Sequence, residues 1–176
     1  VIDMAQQTVS PMKKISVAKV VLNMGVGKSG EPIEKAKRAL KHISGQQPSP
    51  RYAKATQRDW GVHKGEPIGV AVTVRNEEAI QLIKRLFAAK GNQMKGSSFD
   101  NFGNLSFGIK EHIDIPGVKY DPQDGILGLD ISISLTRPGF SIRVRSKHKA
   151  SVGRTHIITS DEAKAFLTHE FGIQVV

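Results

Sequence analysis

The residues predict a two-layer α+β domain, with about three helices packed on one face of a mostly antiparallel sheet and the other face left open. Two patterns and one length argument lead there. Four segments alternate with period two, at residues 68–75, 105–110, 129–136 and 140–145; strict alternation gives a strand one buried and one open face, the habit of antiparallel sheets. Three segments, 31–44, 76–90 and 160–171, carry a single apolar stripe at helical spacing, and such helices need one sheet face to cover. At 176 residues the chain buries a sizeable core as one domain.

Taken in order, residues 1–14 are polar and lack the apolar centre of a signal peptide, so they read as a flexible N-terminal arm. Residues 15–176 then form a single domain with a long loop projecting at 45–67. A more apolar strand spans 19–24. The helix at 31–44 has Pro32 in its first turn, Ile33, Ala36, Leu40 and Ile43 on one side, and Gly45 at its end. In strand 68–75, Ile68, Val70, Val72 and Val74 interleave with Gly69, Ala71, Thr73 and Arg75. The helix at 76–90 is expected to take Asn76 as its cap, with Glu77 and Glu78 at the positive dipole end and Gly91 as its stop. Arg137-Pro138-Gly139 supplies a type II turn, so strands 129–136 and 140–145 are expected to form a hairpin. Asp161 and Glu162 open the last helix and Gly172 closes it.

The charge is segregated. Residues 35–58 hold seven Lys and Arg and no acid, residues 131–160 hold six and no acid, and residues 100–130 hold six acids against Lys110 and Lys119. With a formal charge of +10, this layout points to a polyanion met over part of the surface; an ordinary solvated basic face is the plainer alternative. The absence of cysteine excludes a disulfide scaffold and thiolate metal sites and fits a reducing interior. No apolar run is long enough to span a bilayer, so no membrane partner is expected.

The uncovered sheet face is expected to carry Gly, Ser and Thr, with Arg75, Lys110, Arg143 and Arg145 at its ends. Small residues admit a close backbone, hydroxyls bond phosphate or ribose, and guanidinium groups grip phosphate, which makes this the RNA-facing side. Residues 45–67 hold Arg51, Lys54, Arg58, His63 and Lys64 beside Tyr52 and Trp60. Cations interleaved with rings suit RNA, although Trp60 could equally fold back on the core.

One loop imitates a cofactor site. Gly25-Val26-Gly27-Lys28-Ser29-Gly30 fits G-x-G-x-x-G, but the acid that would hold a ribose about 20 residues on is missing, and the remaining strands alternate. A turn offering backbone amides and Lys28 to an RNA phosphate is the better reading. No cofactor is expected. The cluster Glu111-His112-Ile113-Asp114 reads as a solvated strand end, and the six histidines show no metal spacing. Nothing in these motifs argues for an enzyme.

Several runs occur together in a telling order: Asn23-Met24-Gly25-Val26-Gly27, Gly45-Gln46-Gln47-Pro48, Thr73-Val74-Arg75, the stretch from Phe99 to His112, Gly128-Leu129-Asp130-Ile131, and Arg137-Pro138-Gly139-Phe140. In that order they resemble the large ribosomal subunit protein five family; the ending looks archaeal or eukaryotic, and the length suggests the archaeal type. The resemblance implies a constituent of the central protuberance of the large subunit, in the cytoplasm. Its partners would be 5S rRNA, large-subunit rRNA, peptidyl-site tRNA, and neighbouring ribosomal proteins including a small-subunit bridge protein. Carried over by motif, Asn23, Gln46, Thr73 and Arg75 are the implied 5S rRNA contacts. Lys28, Arg143 and Arg145 join them as rRNA-binding candidates from the charge pattern. Lys54, Arg58, Trp60, His63 and Lys64 make up the loop that would approach tRNA. A nucleotide-dependent enzyme built on residues 25–30 and a non-specific RNA chaperone are the competing readings.

Overall fold

A computed structural model describes residues 10–118, 122 and 125–176. Most of the expected arm, together with Lys119, Asp121 and Asp124 of the acidic run, lies outside the described residues. The chain runs β1 (Ser16–Gly25), α1 (Glu31–Ser44), β2 (Ser49–Tyr52), β3 (Pro67–Val74), α2 (Asn76–Ala89), β4 (Gln93–Met94), β5 (Leu105–Ile109), β6 (Leu129–Thr136), α3 (Ser141–Val144), α4 (Ser160–Phe171) and β7 (Gln174–Val175). Five strands form one antiparallel sheet in the order β2-β3-β1-β6-β5, while β4 and β7 pair in parallel. This is the expected two-layer α+β architecture.

The alternation decides which side chains meet. Val20, Leu22 and Met24 of β1, Val70, Val72 and Val74 of β3, and Ile131, Ile133 and Leu135 of β6 enter one core with Leu40 of α1, Ile83 and Phe87 of α2, and Leu167 of α4. Each such side chain, fully buried, contributes roughly 1.5–3 kcal/mol. Phe87 also stacks on Phe107 of β5 and meets Phe171 of α4 edge-on, so three elements share one ring. Helix α1 ends where Gly45 takes φ 69° and returns its amide to Lys41 O. Helix α4 begins in a capping box, in which Glu162 N donates to the Thr159 hydroxyl and Thr159 N to Glu162 Oε2.

Three local expectations are corrected. Asn76 does not cap α2: Arg75 occupies the cap position, no side chain caps it, and Asn76 stands at φ 61°. Residues 45–67 are not an irregular loop. Strand β2 pairs with β3, and the ladder continues outward through Ala53 with Glu66 and Gln57 with Val62 to a turn at Arg58–Trp60. Pro50 hid this strand from a reading by alternation, yet a sheet edge tolerates proline.

The largest change concerns residues 140–145. The turn exists, with Phe140 N bonded to Arg137 O at 3.3 Å and Gly139 at φ 93°. No returning strand follows it; Ser141–Val144 forms the short helix α3. The reason is topological: β6 already has β1 on one side and β5 on the other, so no edge is free to accept a hairpin partner. Val144, which alternation would have buried, is 82 % exposed.

Candidate nucleic-acid interface

The open face can be read from the strand register. One row across it runs Ser49, Ala71, Asn23, Asp130 and Gly108; the next runs Thr73, Val21, Ser132 and Ser106. These are small or polar groups, and Asn23 sits half-buried at the centre. The face is less free of acid than the charge pattern implied, because exposed Asp130 lies directly opposite Asn23.

At one end of the sheet the fold gathers three of the expected residues. Gln46, which follows α1, Thr73 at the end of β3, and Arg75 before α2 line a cleft of about 570 Å³ with Asn76, Glu77 and Glu78. Gln46 Nε2 donates to Glu78 Oε2 at 2.7 Å, which orients the amide. Among the described residues the Arg75 guanidinium has no ion-pair partner, so it remains available to an outside anion. Its backbone is extended at the point where strand gives way to helix, and its side chain is exposed.

The opposite end holds a second group. Lys28 is exposed in the turn after β1, and Lys54, Arg58, Trp60, His63 and Lys64 belong to the hairpin that extends β2 and β3. Trp60 does not fold back on the core; it is 78 % exposed. Turn and hairpin are tied together, because the Ser29 hydroxyl donates to Glu66 Oε1 while Glu66 Oε2 accepts the His63 amide at 3.0 Å. Those two bonds, the Ser29 bond foremost, hold the Glu66 carboxyl below the usual carboxylate range. Fewer amides face outward in the Gly-rich turn than expected: Val26 and Gly27 both donate to Ile68 O, at 3.0 and 2.9 Å.

Arg143 and Arg145 lie apart from both groups and off the sheet face. Arg143 is on α3, and Arg145 follows it with Nε donating to His148 O at 2.8 Å. The base of their segment is fastened by Arg137, which is 6 % exposed. Its Nη2 meets Glu162 Oε1 at 2.8 Å, and its Nη1 reaches the carbonyls of His156 and Ile157. The Glu162 carboxyl is held below its ordinary range by the Thr159 amide, with Arg137 adding to this against a cost of burial. Arg137 is thus a structural cation, although by charge count it looked like part of the basic surface.

His112 is likewise no solvated strand end: it is buried, and its Nδ1 accepts the Leu127 amide at 3.3 Å. Sequence reasoning counts Arg51 only with the loop, yet it stands exposed opposite Gly69 on the edge strand. Once β2 is recognised, period-two counting from Ser49 places it on the open face. Among the described residues no helix is long and apolar enough to cross a membrane.

The whole chain has recognisable relatives. The family model described as Ribosomal protein L5 matches residues 10–63, and a second, describing the C-terminus of the same ribosomal family, matches residues 67–175. The chain is 70% identical over 172 residues to a large ribosomal subunit protein uL5 of Nitrosopumilus maritimus, covering 98% of this chain and 99% of the relative. It is 65% identical over 165 residues to the protein of that name from Cenarchaeum symbiosum, covering 94% and 98%. With the one from Pyrobaculum aerophilum it shares 47% over 165 residues, covering 94% and 92%. Two family models that meet inside the hairpin, and relatives matched nearly end to end, leave one conclusion: the chain belongs to the ribosomal protein L5 family.

Proposed function

We propose that the chain binds 5S rRNA and large-subunit rRNA in the central protuberance of a cytoplasmic ribosome, with its hairpin near peptidyl-site tRNA and a further surface bridging to a small-subunit protein. Family membership makes it a ribosomal protein of the large subunit, in a family of structural constituents rather than catalysts. The observation that carries the RNA assignment is the gathering of Gln46, Thr73 and Arg75 at one end of a small-residue sheet face. An amide fixed by Glu78, a hydroxyl and a guanidinium with no ion-pair partner among the described residues make a donor set suited to phosphate and ribose. Thr73, Asn23 and Ser132 continue that surface across the sheet. Lys28, Lys54, Arg58, His63 and Lys64 supply the opposite end with positive charge around the exposed Trp60 ring, as a contact to folded RNA requires.

A competition titration tests the reading. Labelled 5S rRNA is bound to the purified protein at about 150 mM salt, where surface charge is screened beyond about 8 Å, and challenged with unlabelled 5S rRNA, tRNA and an unrelated hairpin RNA. Strong competition by 5S rRNA alone is the expected result. Equal competition by all three would reduce the protein to a generic basic RNA binder.

A further inference from the structure

The loop at residues 100–104 holds a phenylalanine where burial gives it no reason to be. Asp100 Oδ1 accepts the amides of Phe102 and Asn104 at 2.9 and 2.7 Å, and Oδ2 accepts the Asn104 side-chain amide at 2.7 Å. Two backbone bonds within the loop close the turn: Asp100 N to Asn104 O at 3.0 Å, and Gly103 N to Asp100 O at 3.2 Å. The loop is therefore built to a fixed shape, and that shape leaves the Phe102 ring 51 % exposed. Arg143 places its guanidinium 5.7 Å from the ring centroid. Both residues line a groove of about 400 Å³, together with the apolar side chains of Phe140, Val152 and Ile157 and with Lys149.

We propose that this groove is a base-stacking site, in which Phe102 and Arg143 receive an unpaired base of single-stranded RNA while Lys149 and its basic neighbours hold the flanking phosphates. The inference rests on the RNA-binding reading above and adds a second contact surface, distinct from the Gln46–Thr73–Arg75 cleft. Charge selects the occupant: residues 131–160 contain no acid, Arg143 and Lys149 line the groove, and Arg145, Lys147 and Arg154 lie in the same acid-free stretch of sequence. The flat ring and guanidinium select the base, since both stack on a nucleobase face whatever its identity. An acidic peptide would satisfy the cations and leave the ring without a planar partner.

The test compares two probes of equal charge. A labelled oligoadenylate of about ten nucleotides, within the usual length for such sites, is titrated beside an abasic backbone of the same length. A polyglutamate peptide is the third probe, and 5S rRNA binding is measured in parallel. The base-containing probe is expected to bind about 5- to 150-fold more tightly than the abasic one. Phe102→Ala and Phe102→Leu should abolish that difference, and Phe102→Tyr should keep it. Circular dichroism and melting curves establish that each variant is folded, and the leucine variant keeps the apolar bulk should alanine loosen the loop. Equal binding of both oligonucleotides, equal binding of polyglutamate, or a base preference untouched by Phe102→Leu would each overturn the stacking site. Retention of 5S rRNA binding in those cases would leave the broader function standing; loss of all RNA binding by the native protein would remove both.

Discussion

Gly103→Ala isolates how tightly the 100–104 loop is clamped. Gly103 has φ 73°, and an added Cβ would stand 2.6 Å from Ile158 Cγ2 and 3.1 Å from Ile158 Cβ. The left-handed backbone costs an alanine roughly 1–2 kcal/mol. Ile158 is 1% exposed, so it has little room to withdraw, and overpacking of this kind costs about 1–3 kcal/mol. The reduced freedom of the unfolded alanine chain returns about 0.4–1 kcal/mol. The net loss is about 1–4.5 kcal/mol, and at about 2–4 °C per kcal/mol for a chain of this size the melting temperature should fall by about 2–18 °C. Gly45→Ala is the control, because Gly45 has a nearly equal φ of 69° with nothing within 4 Å of the added carbon. Calorimetry on both variants reads the difference, which reports the crowding against Ile158, with Ala163 Cβ at 3.4 Å in ordinary contact. Equal shifts would refute the clamp, and with it the claim that the loop presents Phe102 rigidly.

Three further outcomes are expected. Arg75→Ala should weaken 5S rRNA binding by about 1–3 kcal/mol with the fold intact, and an unchanged affinity would remove Arg75 from the interface. Trp60→Ala should leave stability within about 0.5 kcal/mol, since the ring is exposed, while lowering affinity for tRNA in a filter-binding assay. A melting temperature reduced by many degrees would mean that the ring packs after all. Glu162→Gln tests the pH dependence of the Arg137 anchor. The folded Glu162 pKa is depressed, so its contribution is fully present above the ordinary value of 4.5 and is lost as pH falls through the lower folded value. Native protein should therefore exceed the glutamine variant in melting temperature at pH 7 and converge with it in acid; a gap that persists at low pH would show that the carboxylate charge is not what matters.

Where a pattern has one dominant cause, sequence and structure coincide. The helices at 31–44 and 160–171 fall within their expected bounds because apolar stripe, opening residues and closing glycine agree. The same holds for the strand at 129–136, whose alternation has a core on one side only. Residues 140–145 alternate equally well, yet Ile142 and Val144 stay out of the core, because alternation says nothing about whether a neighbouring edge is vacant. Strand β2 was hidden by Pro50, a residue penalised in strands in general and harmless at an edge. Within the candidate site, charge counting found the basic segments but could not separate Arg137, consumed by Glu162, from Arg143, which faces outward. Phe102 went unread because an exposed ring and a core ring look alike until the Asp100 loop is seen to turn it outward.

The position of β1 bears on how such a chain can be made. It pairs with β3 along one edge and with β6 along the other, so the first strand among the described residues completes its hydrogen bonding only when a much later one arrives. A nascent chain that has emerged through β3 holds α1 and half a sheet, with the second edge of β1 still unpaired. Non-local closure of this kind is slow and leaves a strand edge open to other chains in the meantime. Fragments ending before residue 129 should therefore aggregate rather than fold, and a chain cut at the seam between the two family segments, at 63–67, should yield no half that folds alone.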